Sequence, residues 1–335
     1  MQDESQTTAP VSSTRRRVIC TLGAAAAASL MPIARAQDSA FRPNRPLEII
    51  VGYPPGGGLD LTTRIVAEGL GKVLGMNVVV QNRPGANGMI SIQSVVRDES
   101  GGNVFFADAP GVAMNPSLFA KIPYDPLNDI QPVAQMVAVP WVLVVNPALG
   151  VKTLRQFTDL ARSKSGGILM ANTGASLMLA GELVKQKTNI PYTWVPYKGA
   201  SQAAVAVVSG EVDAMITDTG TSLQLIRAGR LQPIMIISEA RSLQLPDVPT
   251  SGELGLDLKA ESWFGVFAAS KTPKAAVDRL NSAVNEVLAR PEIIAKLQAL
   301  DFRPVARTPA DFTTFYRSEL KRWAAIVKNG NIKLD

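Results

Sequence analysis

Short apolar runs of strand length alternate along the chain with segments whose apolar residues recur every three or four positions. Residues 47–51 (LEIIV) predict a buried strand and 59–74 a helix. A second strand follows at 78–81, a helix at 88–97 and a third strand at 104–107. The same beat resumes with strands at 167–171, 193–197, 214–217 and 233–238, and with helices that begin near Thr153, Ser176, Ala200 and Thr221. Short central strands joined by helical crossovers predict α/β architecture, with mostly parallel sheets covered on both faces. The final stretch reads as helical at 273–289, 292–299 and 309–328. Pro273 and Pro309 stand at first-turn positions, each after a Thr that can cap.

Two longer apolar runs interrupt this beat, 139–145 (VPWVLVV) and 263–269 (WFGVFAA). One precedes the second set of βα units and the other follows it. A chain that leaves one α/β lobe, builds another and returns needs two crossing segments, and these runs are the candidates. The resulting division is 37–140 plus 264–335 for one lobe and 141–263 for the other.

The first 36 residues change the picture of where the chain works. Arg15, Arg16 and Arg17 precede an Ala-rich apolar run, and Ala34-Arg35-Ala36 supplies an A-x-A cleavage site. This predicts an export signal over 1–36 and a periplasmic location; a twin-arginine route and a Sec route both stay open. The single cysteine, Cys20, lies at the start of the apolar run, so a chain cleaved there has none and needs no disulfide. Of 335 residues, 46% are hydrophobic and 19% charged, as in a soluble globular protein with a sizeable core. The net charge of +6 comes from scattered basic residues without a basic stripe, which argues against a nucleic-acid partner. No coiled-coil seam or long exposed apolar run is present, so a monomer is the expectation.

Candidate chemistry is narrowed by what the chain lacks. It has no histidine, which removes His-based acid–base catalysis and Ser-His-Asp triads. Neither a Walker loop nor G-x-G-x-x-G follows the first strand. No cofactor, metal site or enzymatic activity is expected; an exported enzyme using only Asp, Glu, Lys or Ser is kept as an alternative. What remains is a set of small, polar turns at helix starts: 54–60, 83–88, 108–111, 173–176, 198–201 and 218–222. Helix N-termini leave backbone N–H groups unpaired and favour negative charge. In open α/β sheets such turns gather at the carboxyl ends of the strands, where ligands bind. The opening turn, GYPPGGGLD (52–60), exposes bare backbone at Gly56, Gly57 and Gly58, which admits an anion to close range. Capping and turn-making alone explain any single turn; six turns on two facing lobes predict a shared cleft. The candidate binding residues are Tyr53, Pro55, Gly56, Gly57, Gly58, Leu59, Asp60, Asn87, Asp108, Ala109, Thr173, Gly174, Ala175, Ser176, Lys198, Gly199, Ala200, Asp218 and Thr219.

Several stretches resemble, in order, the extracytoplasmic solute receptors of the tripartite tricarboxylate transporter family, the Bug receptors. They are Pro54-Pro55-Gly56-Gly57 with Asp60, VVVQNRPGANG (78–88), NPSLFAKIPYDPLNDIQPVAQM (115–136), VLVVNP (142–147), LAGEL (179–183), VPYKG (195–199), LPDVPT (245–250), WFGVFA (263–268) and IKLD (332–335). The resemblance implies a two-lobed periplasmic binding protein of type II-like architecture, joined by two crossing strands. It implies a small organic carboxylate as ligand and the membrane subunits of a tripartite tricarboxylate transporter as partners. A receptor feeding a sensor kinase is the alternative within that class.

Some positions depart from the family pattern. Gly58 and Leu59 stand where members often have Ser and Thr. Val112 stands in place of a His, Asp108 in place of Thr or Ser, and Ala175-Ser176-Leu177-Met178 in place of Thr-Ser-Gln-His. These changes predict a less polar pocket, suited to an aromatic or otherwise apolar carboxylate. Asp108 and Asp218 are expected either to cap helices or to accept a hydrogen bond from a ligand ammonium or hydroxyl.

Overall fold

Strand β1 (Leu47–Val51) leads through a glycine-rich turn into helix α1 (Gly58–Leu74). Its apolar residues at 59, 66, 67 and 70 fall on one buried face, as a 3.6-residue period requires. The helix ends at Gly75 in the left-handed region (φ 65°), whose N–H donates to the Gly71 carbonyl. The computed structural model describes residues 45–238, 240–256, 258 and 261–330. The expected export signal and the closing IKLD lie outside the described residues.

The chain continues with β2 (Val78–Asn82), α2 (Met89–Val96), β3 (Val104–Asp108), α3 (Gly111–Leu118), β4 (Ile130–Val139) and β5 (Trp141–Val145). Next come α4 (Leu154–Ser163), β6 (Ile168–Asn172), α5 (Ala175–Thr188), β7 (Tyr192–Pro196), α6 (Ala200–Ser209), β8 (Ala214–Asp218), α7 (Thr219–Arg227) and β9 (Gln232–Ile237). The last elements are β10 (Ser262–Ala269), α8 (Lys274–Leu288), α9 (Pro291–Ala299), β11 (Arg303–Pro304) and α10 (Pro309–Gly330). Thr308 caps α10, accepting from the Asp311 N–H, whereas α8 starts after Pro273 without a side-chain cap.

Two sheets result, with strand orders β11-β4-β10-β3-β1-β2 and β7-β6-β8-β5-β9. The α/β class is as expected, but the sheets are mixed rather than mostly parallel. β1 pairs in parallel with β2 and β3, and β6 with β7 and β8; β10 and β5 run antiparallel to both of their neighbours. The reason is the double crossover, which inserts a returning strand into the middle of each sheet.

The crossings also differ from the expected pair of strands. The run 139–145 is divided by Pro140, which has no N–H to offer a ladder. Val139 ends β4 in the first sheet and Trp141 opens β5 in the second. The run 263–269 does not cross at all: β10 lies wholly in the first sheet between β3 and β4. The return crossing is made by the chain between β9 and β10, where Ile236 and Ser251 still bond in the second sheet.

The core follows these layers. Trp263, Phe267, Phe312, Phe315 and Tyr316 stack edge to face or tilted where α10 covers β10. Buried Glu319 accepts from the Nε1 atoms of Trp263 and Trp323 at 3.0 and 2.9 Å. Gly265 sits at a register shift in β10, and a Cβ there would lie 2.4 Å from Phe312 Cζ. Gly265→Ala is therefore expected to destabilise the fold by about 2 kcal/mol through overpacking, read as a lower urea midpoint with unchanged slope.

Candidate functional site

The carboxyl ends of β1 and β3 in one sheet face those of β6, β7 and β8 in the other. Side chains and backbone meet across the gap: the Ala175 N–H donates to Asn87 Oδ1 at 3.0 Å, and Gly199 packs on Pro54. Between the rims lies a cavity of about 310 Å³. Its walls are chiefly apolar, formed by Tyr53, Pro54, Pro55, Leu59, Trp141, Leu177 and Phe264. Polar groups reach it from Thr173, Ser176, Ser201, Gln202 and Ser262, and the charged residues on its wall are Lys198 and Asp218.

The β1–α1 turn is held by its own acid. Gly56 is left-handed (φ 86°) and donates its N–H to Asp60 Oδ2 at 3.0 Å. Asp60 also accepts from Arg64 Nε and from Asn82 Nδ2, which in turn holds the Tyr53 carbonyl. Burial works to raise the Asp60 pKa, but these hydrogen bonds outweigh it and hold the carboxyl below its usual range. Asp60 and Gly56 thus brace the turn and do not line the cavity.

Three helices begin at the cavity without side-chain caps of their own: α1 after Gly57, α5 after Gly174 and α6 after Gly199. In α7, by contrast, Asp218 is the N-cap and accepts from the Thr221 N–H at 2.8 Å. Burial raises the Asp218 pKa, opposed by the bonds from Thr221 and by the nearby Gly58 N–H across the cleft. A Cβ at Gly58 would lie 2.5 Å from Asp218 Oδ1. The bare backbone at Gly58 therefore seats a carboxylate, but one belonging to the protein itself.

Of the other expected residues, Tyr53, Pro55, Gly57, Gly58, Leu59, Ala109, Thr173, Gly174, Ser176, Lys198, Gly199, Ala200 and Asp218 share the cavity wall. Asn87 lies instead in an adjoining hollow of about 570 Å³ on the far side of Tyr53. Ala175 gives its N–H to Asn87, and Thr219 is buried with its hydroxyl donating to the Leu300 carbonyl. Asp108 caps no helix, because α3 begins after Pro110. It is fully buried, with Oδ1 accepting from the Ala109 N–H and Oδ2 without a hydrogen-bond partner. Burial pushes its pKa up to about 8, against the lowering effect of that N–H. The Tyr53 hydroxyl is likewise buried without a partner; burial, then the nearby Asp108, raises its pKa.

The polar-to-apolar replacements divide in two. Leu59 and Leu177 face the cavity, whereas Val112 and Met178 are buried in the surrounding core. Sequence reading did not include Trp141, Ser262 and Phe264, which flank the crossings. Their signal was available: a chain that passes between two facing rims must lend side chains to the space between them. Among the described residues there is no group of three or more His, Cys, Asp or Glu able to hold a metal ion, and no helix long and apolar enough to cross a membrane.

A cleft between two mixed α/β sheets joined by a double crossover defines the class of two-lobed periplasmic binding proteins. The chain belongs to the tripartite tricarboxylate transporter receptor family, whose model matches residues 62–332. It is 35% identical over 298 residues to Protein BugT of Bordetella pertussis (strain Tohama I), covering 87% of this chain and 91% of that one. Among solved structures, Rpa4515 of R. palustris with adipate is 28% identical with a TM-score of 0.84, covering 88% of this chain and all of that one. MatC of Rhodopseudomonas palustris with bound malate is 27% identical with a TM-score of 0.80, covering 85% and 100%. The chain is thus a solute-binding receptor, in a family of receptors rather than of enzymes.

Proposed function

We propose that the protein captures a small apolar or aromatic carboxylate in the cleft and delivers it to the membrane subunits of a tripartite tricarboxylate-type transporter. The observation that carries this reading is the cavity itself, an apolar box into which the N-termini of α5 and α6, neither capped by its own N-cap residue, open beside Lys198. Helix N-termini favour an anion, and Trp141, Phe264, Leu59 and Leu177 favour an apolar body. The adipate and malate held by the two solved relatives support a carboxylate as the anionic group. In this reading the lobes are 37–140 plus 264–335 and 141–263, the export signal directs the receptor to the periplasm, and the receptor acts as a monomer. Ligand touching both rims favours the closed arrangement.

Trp141 offers a direct test of the site. Titration with benzoate is expected to change the tryptophan fluorescence of the wild-type protein. In Trp141→Phe the fluorescence change is expected to shrink, while calorimetry still registers binding. An undiminished fluorescence response in Trp141→Phe, or no heat of binding in either protein, would contradict this placement.

A further inference from the structure

Two contacts cross the cleft in opposite senses, one a hydrogen bond and one a carboxylate packed on bare backbone, and each meets the start of a helix that lacks a cap of its own. From the first lobe, Asn87 Oδ1 accepts from the N–H of Ala175, the first residue of α5. From the second lobe, the Asp218 carboxylate packs against the backbone of Gly58, the first residue of α1. The usual capping positions of α1 and α5 are Gly57 and Gly174, where Ser, Thr, Asp or Asn would normally serve. The sequence leaves both caps out locally and brings an acceptor side chain to each helix start from across the gap.

The backbone is cut to fit these contacts. A Cβ at Gly58 would strike Asp218 Oδ1 at 2.5 Å, and one at Gly174 would lie 3.1 Å from Asn87 Oδ1. Both accepting arms are fixed beforehand. Asn87 is held in the left-handed region (φ 52°), and its Nδ2 donates to Asn115 Oδ1 while Asn115 Nδ2 donates to the Asn87 carbonyl. Asp218 is pinned by the backbone and hydroxyl of Thr221. A left-handed Asn is a strained conformation, and four positive φ angles in succession, Gly85 to Gly88, aim its amide at α5.

We propose that Asn87 and Asp218 form a reciprocal latch that holds the cleft closed without solute. They are positioning residues, Asn87 outside the cavity and Asp218 on its wall with its carboxylate held by Thr221: they act on affinity through the population of the closed state. When the binding-competent state is only partly populated, apparent affinity falls by that fraction. Loss of one arm is therefore expected to weaken solute binding about five-fold, and loss of both by more. The latch does not depend on which solute the cleft takes.

The test uses a pair of spin labels in a Cys20→Ser background, since Cys20 is the only cysteine. Leu127→Cys and Val205→Cys, 55% and 66% exposed, place one label on each lobe. The protein is unfolded in urea and refolded to strip any carried solute. A single narrow distance distribution is expected for the otherwise wild-type protein. Asn87→Gly, which keeps the left-handed backbone, and Asp218→Ser, which keeps the α7 cap, are each expected to add a second, altered distance, with the double variant shifted furthest. Unchanged circular dichroism and a cooperative melt establish that the variants are folded; should Asp218→Ser fail to fold, Asn87→Gly alone decides. A broad or two-state distribution in the stripped unmutated protein, or a narrow one that persists in Asn87→Gly, would overturn the latch. Because no ligand is added, a failed carboxylate titration leaves this result standing.

Discussion

Replacing Asp108 with Asn is expected to stabilise the protein near neutral pH and to do so less and less as the pH is lowered toward 4. Asp108 is fully buried, has an unpartnered Oδ2 and carries a pKa pushed up to about 8. In the unfolded chain the same carboxyl ionises near 4. Between these values the unfolded state gives up its proton while the folded state keeps it. Folding stability is therefore complete below the unfolded value and drains away as pH rises toward the folded one. At pH 7 the loss amounts to about 4 kcal/mol, and it levels off above pH 8, where both states are ionised. Asn is neutral in both states and keeps an oxygen for the Ala109 N–H. Urea unfolding of the two proteins from pH 4 to pH 8 should show a stability difference that grows with pH. A difference independent of pH would mean that Asp108 is ionised in the folded protein throughout.

Glu319→Ala is expected to cost about 3–5 kcal/mol, the range for breaking a buried charged network from one side. Its carboxylate accepts from the indoles of Trp263 and Trp323 and pairs with Arg322 at 2.9 Å. Removing it leaves two buried donors without an acceptor just where α10 seals β10. Glu319→Gln keeps one acceptor oxygen and should lose roughly half as much. Circular dichroism during denaturation separates the two variants. Equal, small losses for both would show that water reaches the indoles.

The parts of the fold that were legible in the sequence are those whose burial pattern is local. LEIIV, the Leu59–Leu70 stripe and the βα alternation of the second lobe carry their period in a few residues. The strand β4 was hidden because Pro132 and the buried polar Gln135 interrupt its apolar run. The helix α3 was legible only at its start, the turn 108–111, because Pro116 within its eight residues masks its extent. The direction of β10 and β5 depends on which neighbours the crossovers place beside them, and no window of sequence encodes that.

The candidate site divides in the same way. Turns rich in Gly, Ser and Thr announce themselves, and most of their residues reach the cavity. What each turn faces is a tertiary matter. Gly58 reads as space for a ligand anion, yet that space holds Asp218 from the other lobe. Asp60 reads as a cleft residue, yet Arg64 and Asn82 turn it inward. Trp141 and Phe264 read as hinge strands, yet they furnish the apolar walls. The apolar replacements at 59 and 177 matter for specificity because the fold aims them inward; those at 112 and 178 do not, because the fold buries them in the core.

A thermal-shift screen of the receptor tests the central claim most directly. A solute that binds only the folded state raises the melting temperature with the logarithm of its concentration over its dissociation constant. Against benzoate, branched monocarboxylates, aromatic dicarboxylates, citrate and aspartate, the apolar cavity predicts clear shifts with aromatic or branched acids and smaller ones with citrate and aspartate. Citrate giving a larger shift than every aromatic acid tested would contradict an apolar carboxylate site in this cleft.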